Sequence, residues 1–191
     1  MPGSRSLAAI LFAVSAALLA SPAAAQGEIV ITQAKALAGN VTPGDAAGYP
    51  ITLSLSGSYI LGGNLTVPAN QNGISINAHN VDFDLNGFAI IGNSAAYNGI
   101  LSGYGESRIH NGAINRFRSA GVLLRNHVWT IEDMRITRNG GMGIDATGSD
   151  LITVRTSTIA SNGTYGMLLG DNAVVEGNTI AKNADIGVVI S

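Results

Sequence analysis

Five of the ten basic residues of this 191-residue chain fall between Arg116 and Arg138: Arg116, Arg118, Arg125, Arg135 and Arg138. Grouped guanidinium ions suit planar oxyanions, because each presents a fork of N–H donors that matches carboxylate or phosphate. Arg116, Arg118, Arg135 and Arg138 are therefore the candidate ligand-binding residues, for a glycan bearing such groups. Asp145 is a weak candidate for catalysis. Asp82 and Asp84 stand i to i+2, on one side of an extended segment, and would hold a cation given one more ligand, but no such ligand is evident. His79, His110 and His127 fall at different points of the sequence pattern and do not converge, so no metal site is expected. There is no Ser–His–Asp spacing, no phosphate-binding loop, and no cofactor is expected.

The elements that must position these residues begin after an exported leader. Arg5 precedes an uninterrupted run of apolar and small residues from Leu7 to Ala20, and Ala23-Ala24-Ala25 offers small residues where a signal peptidase reads. We expect Met1–Ala25 to be removed, leaving Gln26 first in a secreted or periplasmic protein with no membrane attachment. The chain has no cysteine, which excludes disulfides and thiol catalysis. Charged residues are only 12% and the net charge is −2, which is no profile for nucleic acid.

An internal repeat specifies the fold. A Gly followed by an apolar residue recurs at Gly73-Ile74, Gly99-Ile100, Gly121-Val122, Gly143-Ile144, Gly166-Met167 and Gly187-Val188, at intervals of 26, 22, 22, 23 and 21 residues. Aliphatic pairs five apart keep step, at Leu85/Ile90, Ile109/Ile114, Ile131/Ile136, Val154/Ile159 and Val175/Ile180. Asn139, Asn162 and Asn183 follow in the last repeats. The apolar residues come in alternating triplets such as Ile74-Ser75-Ile76 and Trp129-Thr130-Ile131, separated by turn residues, so each repeat is three short strands. Strands stacked on their equivalents give an all-β, right-handed, single-stranded parallel β-helix of about six coils of about 22 residues. Its rod is on the order of 30 Å long.

The expected organisation is residues 26–50 as an N-terminal cap and 51–191 as the helix, with its last end uncapped or truncated. Ile51, Ile74, Ile100, Val122, Ile144, Met167 and Val188 should form one internal column, and Ile90, Ile114, Ile136, Ile159 and Ile180 another. Trp129 points inward. The three Asn should occupy corners that need left-handed backbone, with their amides bonded along the rod.

Val81-Asp82-Phe83-Asp84-Leu85-Asn86-Gly87-Phe88-Ala89-Ile90 resembles the V-x-x-D-L-N-G-x-x-I coil of right-handed β-helix proteins of the pectate-lyase-like superfamily. Gly44–Val67 is similar to the first coil of small exported bacterial members, and the likeness runs from about Gln33 to Ser191. It implies the fold but no one activity, since the superfamily includes lyases, hydrolases, epimerases and adhesins. Its lyases imply Ca²⁺-binding acidic residues with an Arg or Lys base on one outer face, and its hydrolases imply clustered Asp.

Neither pattern is evident in the outward positions. After each Gly-apolar pair they read Ser75, Leu101, Leu123, Asp145, Leu168 and Val189, an aliphatic stripe (Leu101, Leu123, Leu168, Val189) suited to a contact surface. On the next strand they read Asp84/Asn86, Arg108/His110, Thr130/Glu132, Thr153/Arg155 and Val174/Glu176, whose alternating charges suggest exposed ion pairs. The leading reading is a non-catalytic structural or glycan- and surface-binding module, with extracellular or envelope polysaccharide as partner. The alternatives are a carbohydrate-active enzyme and a fragment of an adhesin-type passenger. A second outward carboxylate, or an Arg or Lys, within reach of Asp145 would favour the enzyme.

Overall fold

The computed structural model describes residues 27–191, so the expected leader lies outside the described residues. Three short strands per coil stack in parallel on the strands of the next coil. The first face holds seven: Ile51–Leu53, Ile74–Ile76, Ile100–Ser102, Val122–Arg125, Ile144–Gly148, Met167–Leu169 and Val188–Ile190. The second and third faces run together where Ser107–Asn115 and Val128–Thr137 bend without a break from one to the other. The interior is a single apolar column system. Ile51, Ile74, Ile100, Val122, Ile144, Met167 and Val188 are paired successively in register, as are Ile90, Ile114, Ile136, Ile159 and Ile180. Trp129 is fully buried among them.

The repeated Gly is explained by close backbone approach. A Cβ on Gly73, Gly99, Gly121, Gly143 or Gly166 would lie 2.4 to 2.8 Å from the carbonyl oxygen of the equivalent Gly one coil on. A side chain at any of these five positions would have to separate the coils. The Asn ladder also forms: Asn139 Nδ2 donates to Asn162 Oδ1 at 3.1 Å and Asn162 Nδ2 to Asn183 Oδ1 at 3.0 Å. These Asn are not the left-handed residues, however. That conformation falls one position earlier, at Arg138, Ser161 and Lys182, and at Arg116, which precedes Phe117 at the same corner of the preceding coil, with φ between 55° and 62°. The Asn is thereby free to turn its amide inward and satisfy backbone N–H groups of the neighbouring coil.

The repeat spacing equates Leu85 with Ile109, but the structure differs by two residues. Phe83, not Leu85, pairs with Ile109, while Ile90 still pairs with Ile114. The coil starting at Gly73 carries two of its extra residues between these points, and Leu85 fills the space that Gly112 leaves open, where a Cβ would meet Leu85 Cβ at 2.3 Å. The outward partners of Arg108 and His110 are consequently Asp82 and Asp84.

At the start of the rod, Ile29–Ile31 adds a strand against Tyr59–Leu61. The helix Gln33–Ala38 follows, its first turn capped by Thr32, whose hydroxyl accepts from the Lys35 N–H. Asp45 then accepts from the N–H groups of Val41 and Thr52, and the Thr42 hydroxyl donates to the Thr52 carbonyl. These bonds answer backbone groups that an open edge strand would leave unpaired. In the last coil Val174, Val175, Ile186 and Ile190 lie at the surface.

Candidate functional site

Arg116, Arg135 and Arg138 come together. Arg135 lies on the third face and Arg116 and Arg138 at the left-handed corner that follows it, in consecutive coils. With Ile91, Ala113, Asn115 and Thr137 they line a cleft of about 280 Å³. Among the described residues, no carboxylate lies within ion-pairing distance of any of the three. The cleft thus combines unneutralised donors with a small apolar floor. Arg118 departs from the group, its guanidinium lying over the Tyr97 ring at 4.7 Å.

Asp145 sits in the aliphatic row, paired in register with Leu123 on one side and Leu168 on the other. The residues of that row are half-buried rather than fully exposed. An Arg is within reach, the condition set for the enzyme reading: Arg125 Nη1 and Nη2 donate to Asp145 Oδ1 and Oδ2, both at 2.8 Å. The Thr147 hydroxyl donates to Oδ1 at 3.0 Å. Burial raises the Asp145 carboxyl, but the Arg125 hydrogen bonds and charge outweigh it and hold the group below the usual carboxylate range. Both oxygens are engaged, and no second carboxylate lines the cleft of about 420 Å³ around them. Acid–base hydrolysis needs two carboxyl groups in different protonation states, so this pair lacks the constellation.

The second face is more interlocked than exposed pairs would be. Glu132 is only 5% accessible and is gripped from the coils on both sides, by Arg108 and by Arg155. Burial raises its carboxyl, and the hydrogen bonds from Arg155 and Arg108 with their charges bring it below the ordinary value. Glu176 makes no such bond and is exposed. The partner missing from Asp82 and Asp84 is His110, whose Nε2 lies 3.1 Å from Asp82 Oδ1 and whose Nδ1 lies 3.9 Å from Asp84 Oδ1. Asp84 Oδ1 already accepts from the Asn86 N–H and from Asn111 Nδ2.

Two of the histidines do converge, against expectation. His79 and His127 stack edge-to-face with centroids 4.7 Å apart, and Glu106 joins them. Glu106 also borders a cleft of about 520 Å³ along the second face, lined by Asp82, Ser107, Arg108, Val128 and Thr130.

Residues 46–191 match the family model for the right-handed β-helix region. The chain belongs to the right-handed β-helix family. No curated protein and no solved structure matches it. Membership agrees with the parallel three-faced coil and sets its hand, while leaving the activity to be argued from the sites themselves. In this β-helix the signal that would have joined His79 to His127 is their phase. Each stands six residues after a repeat Gly, Gly73 and Gly121 respectively, whereas His110 stands eleven after Gly99. A signal for the Glu132 contacts was also present, because Arg155 pairs with Glu132 in the next coil and Arg108 pairs with Thr130, two residues before it, in the previous one. No helix among the described residues is long and apolar enough to cross a membrane.

Proposed function

We propose that this β-helix is an exported, non-catalytic module that binds an anionic glycan through the cleft of Arg116, Arg135 and Arg138. The supporting observation is that three guanidinium groups from adjacent coils share one small cleft with no carboxylate partner among the described residues. The other described arginines are engaged elsewhere: Arg125 by Asp145, Arg108 and Arg155 by Glu132, and Arg118 over the Tyr97 ring. Free forks in a row suit carboxylates spaced along a polysaccharide, and the Asn115 and Thr137 side chains supply donors and acceptors for hydroxyls. The Arg5-initiated apolar leader supports export, and mass spectrometry of the protein recovered outside the cytoplasm should find Gln26 as its first residue.

The test is calorimetric titration with oligogalacturonate and with a neutral oligosaccharide of equal length. The acidic glycan should bind, lose affinity as salt is added, and bind at least tenfold more weakly to Arg116→Ala/Arg138→Ala. Equal binding of the neutral glycan, or indifference to both substitutions, would refute the reading. A carbohydrate-active enzyme is the second reading, favoured by one observation, the Arg125–Asp145 pair in its own cleft. Release of unsaturated products or reducing ends that stops in Asp145→Asn would establish it.

A further inference from the structure

We propose that His79, Glu106 and His127 form a binding site for a divalent transition-metal ion of the zinc class. The site arises from stacking. His79, Gly105 and His127 each stand three residues before Asp82, Arg108 and Thr130, which pair across successive coils. They are therefore one column at one corner of the rod. Strands two coils apart lie about 9.6 Å from each other, too far for adjacent imidazoles unless the intervening position is vacant. Gly105 makes it so. A Cβ there would fall 2.2 Å from His127 Cβ and 3.2 Å from its Cγ, and so would displace that ring.

The middle coil supplies the third group from the next residue. Glu106 has φ 53°, the left-handed turn that brings its carboxylate back toward the column. Its Oε2 lies 2.5 Å from His79 Nδ1 and its Oε1 3.6 Å from His127 Nδ1. Donor atoms sharing a tetrahedral ion with bonds of about 2.0–2.2 Å stand about 3.3 Å apart. One donor atom from each of the three residues lies within 4.8 Å of the others, and the Glu106–His79 contact, a hydrogen bond between the two side chains, has to open by about 0.8 Å to admit the ion. The neighbours hold the ligands in place. The Tyr104 ring packs edge-on to His79 at 5.3 Å, and Asp150 Oδ2 accepts from the His127 backbone N–H at 2.9 Å.

Two imidazoles and one carboxylate select a borderline transition metal over Ca²⁺ or Mg²⁺, which take oxygen ligands. Three protein ligands leave a fourth position, and the ligands are partly exposed, His79 by 40%, Glu106 by 47% and His127 by 37%. Glu106 also borders the cleft containing Asp82 and Arg108, so an ion held here would lie beside that cleft with a coordination position free. This site shares no residue with the arginine cleft, and its test is independent of glycan binding.

The experiment is a zinc titration of chelator-treated protein, purified without a polyhistidine tag, in competition with a chromophoric indicator. One Zn²⁺ per chain should be taken up, at least tenfold more weakly by His79→Gln and by His127→Gln, and equally well by His110→Gln. Millimolar Ca²⁺ should not displace it, and Co²⁺ should give the intense visible bands of four-coordinate geometry. Circular dichroism without metal checks that the variants fold, which the partial exposure of both rings favours. Absence of saturable uptake below about 100 µM Zn²⁺ (an affinity weaker than about −5.5 kcal/mol) overturns the proposal. So does uptake unchanged in the double His79→Gln/His127→Gln variant, or displacement by Ca²⁺.

Discussion

Replacing Glu132 with Gln keeps the shape of a buried side chain and removes one charge from between Arg108 and Arg155. Breaking a fully buried ion pair costs about 3–5 kcal/mol, but here the two arginines are 45% and 50% exposed and stay hydrated after the change. Gln also retains one acceptor oxygen for one of them. The remaining loss is about one charge-assisted hydrogen bond, about 2 kcal/mol. With a urea m-value of about 2 kcal/mol/M, the unfolding midpoint at pH 7 should fall by about 1 M. The pH dependence follows from the direction of the shift. Burial raises the Glu132 carboxyl and its arginine partners more than reverse this, so folding favours the ionised form. The stabilisation is then complete above the unfolded value of about 4.3 and disappears as pH falls through the lower folded value. The gap between the two proteins should therefore be constant from pH 8 to pH 5, narrow below pH 4, and close in stronger acid. Asp145 is shifted the same way in both proteins and cancels from the difference. A gap below about 0.5 kcal/mol at pH 7, or one that does not narrow at all as the pH falls below 4 while both proteins remain folded, would refute this account of Glu132.

The interior should be far less tolerant than the outer rows. Ile100→Asp or Ile136→Asp would bury a carboxylate in a column with no counter-ion and should cost several kcal/mol, whereas Glu176→Ala, at an exposed position, should change stability by less than about 1 kcal/mol; comparable melting midpoints would contradict the register. Asn162→Ala removes the acceptor of both the Asn139 side chain and the Asn139 N–H, leaving two buried donors unpaired at about 1–3 kcal/mol each. Thermal unfolding should show a midpoint lowered by several degrees, and one within a degree of the original would mean the ladder carries no net stability.

The internal columns were legible because one constraint governs every coil. A strand with one apolar side must turn that side inward, so alternation and period together place Ile100 or Ile136 without knowledge of any neighbour. The outer rows obey no such rule, and there the sequence was harder to read. The two-residue slip at Leu85 arose because Gly112 let an extra apolar side chain occupy the wall, so equal spacing to Ile90 imitated the true column at Phe83. That slip moved Asp82 away from Arg108 and Asp84 away from His110, and the face then looked like loosely alternating charges rather than an interlocked network. The histidine corner was hidden for a related reason. His79 and His127 are 48 residues and two coils apart, and a row of side chains of ordinary size would keep them from touching. Contact between next-nearest coils depends on what stands between them, and only a residue without a side chain leaves that path open. In a parallel β-helix the glycines that interrupt an outward row therefore mark where distant polar residues meet, as Gly105 does for His79 and His127.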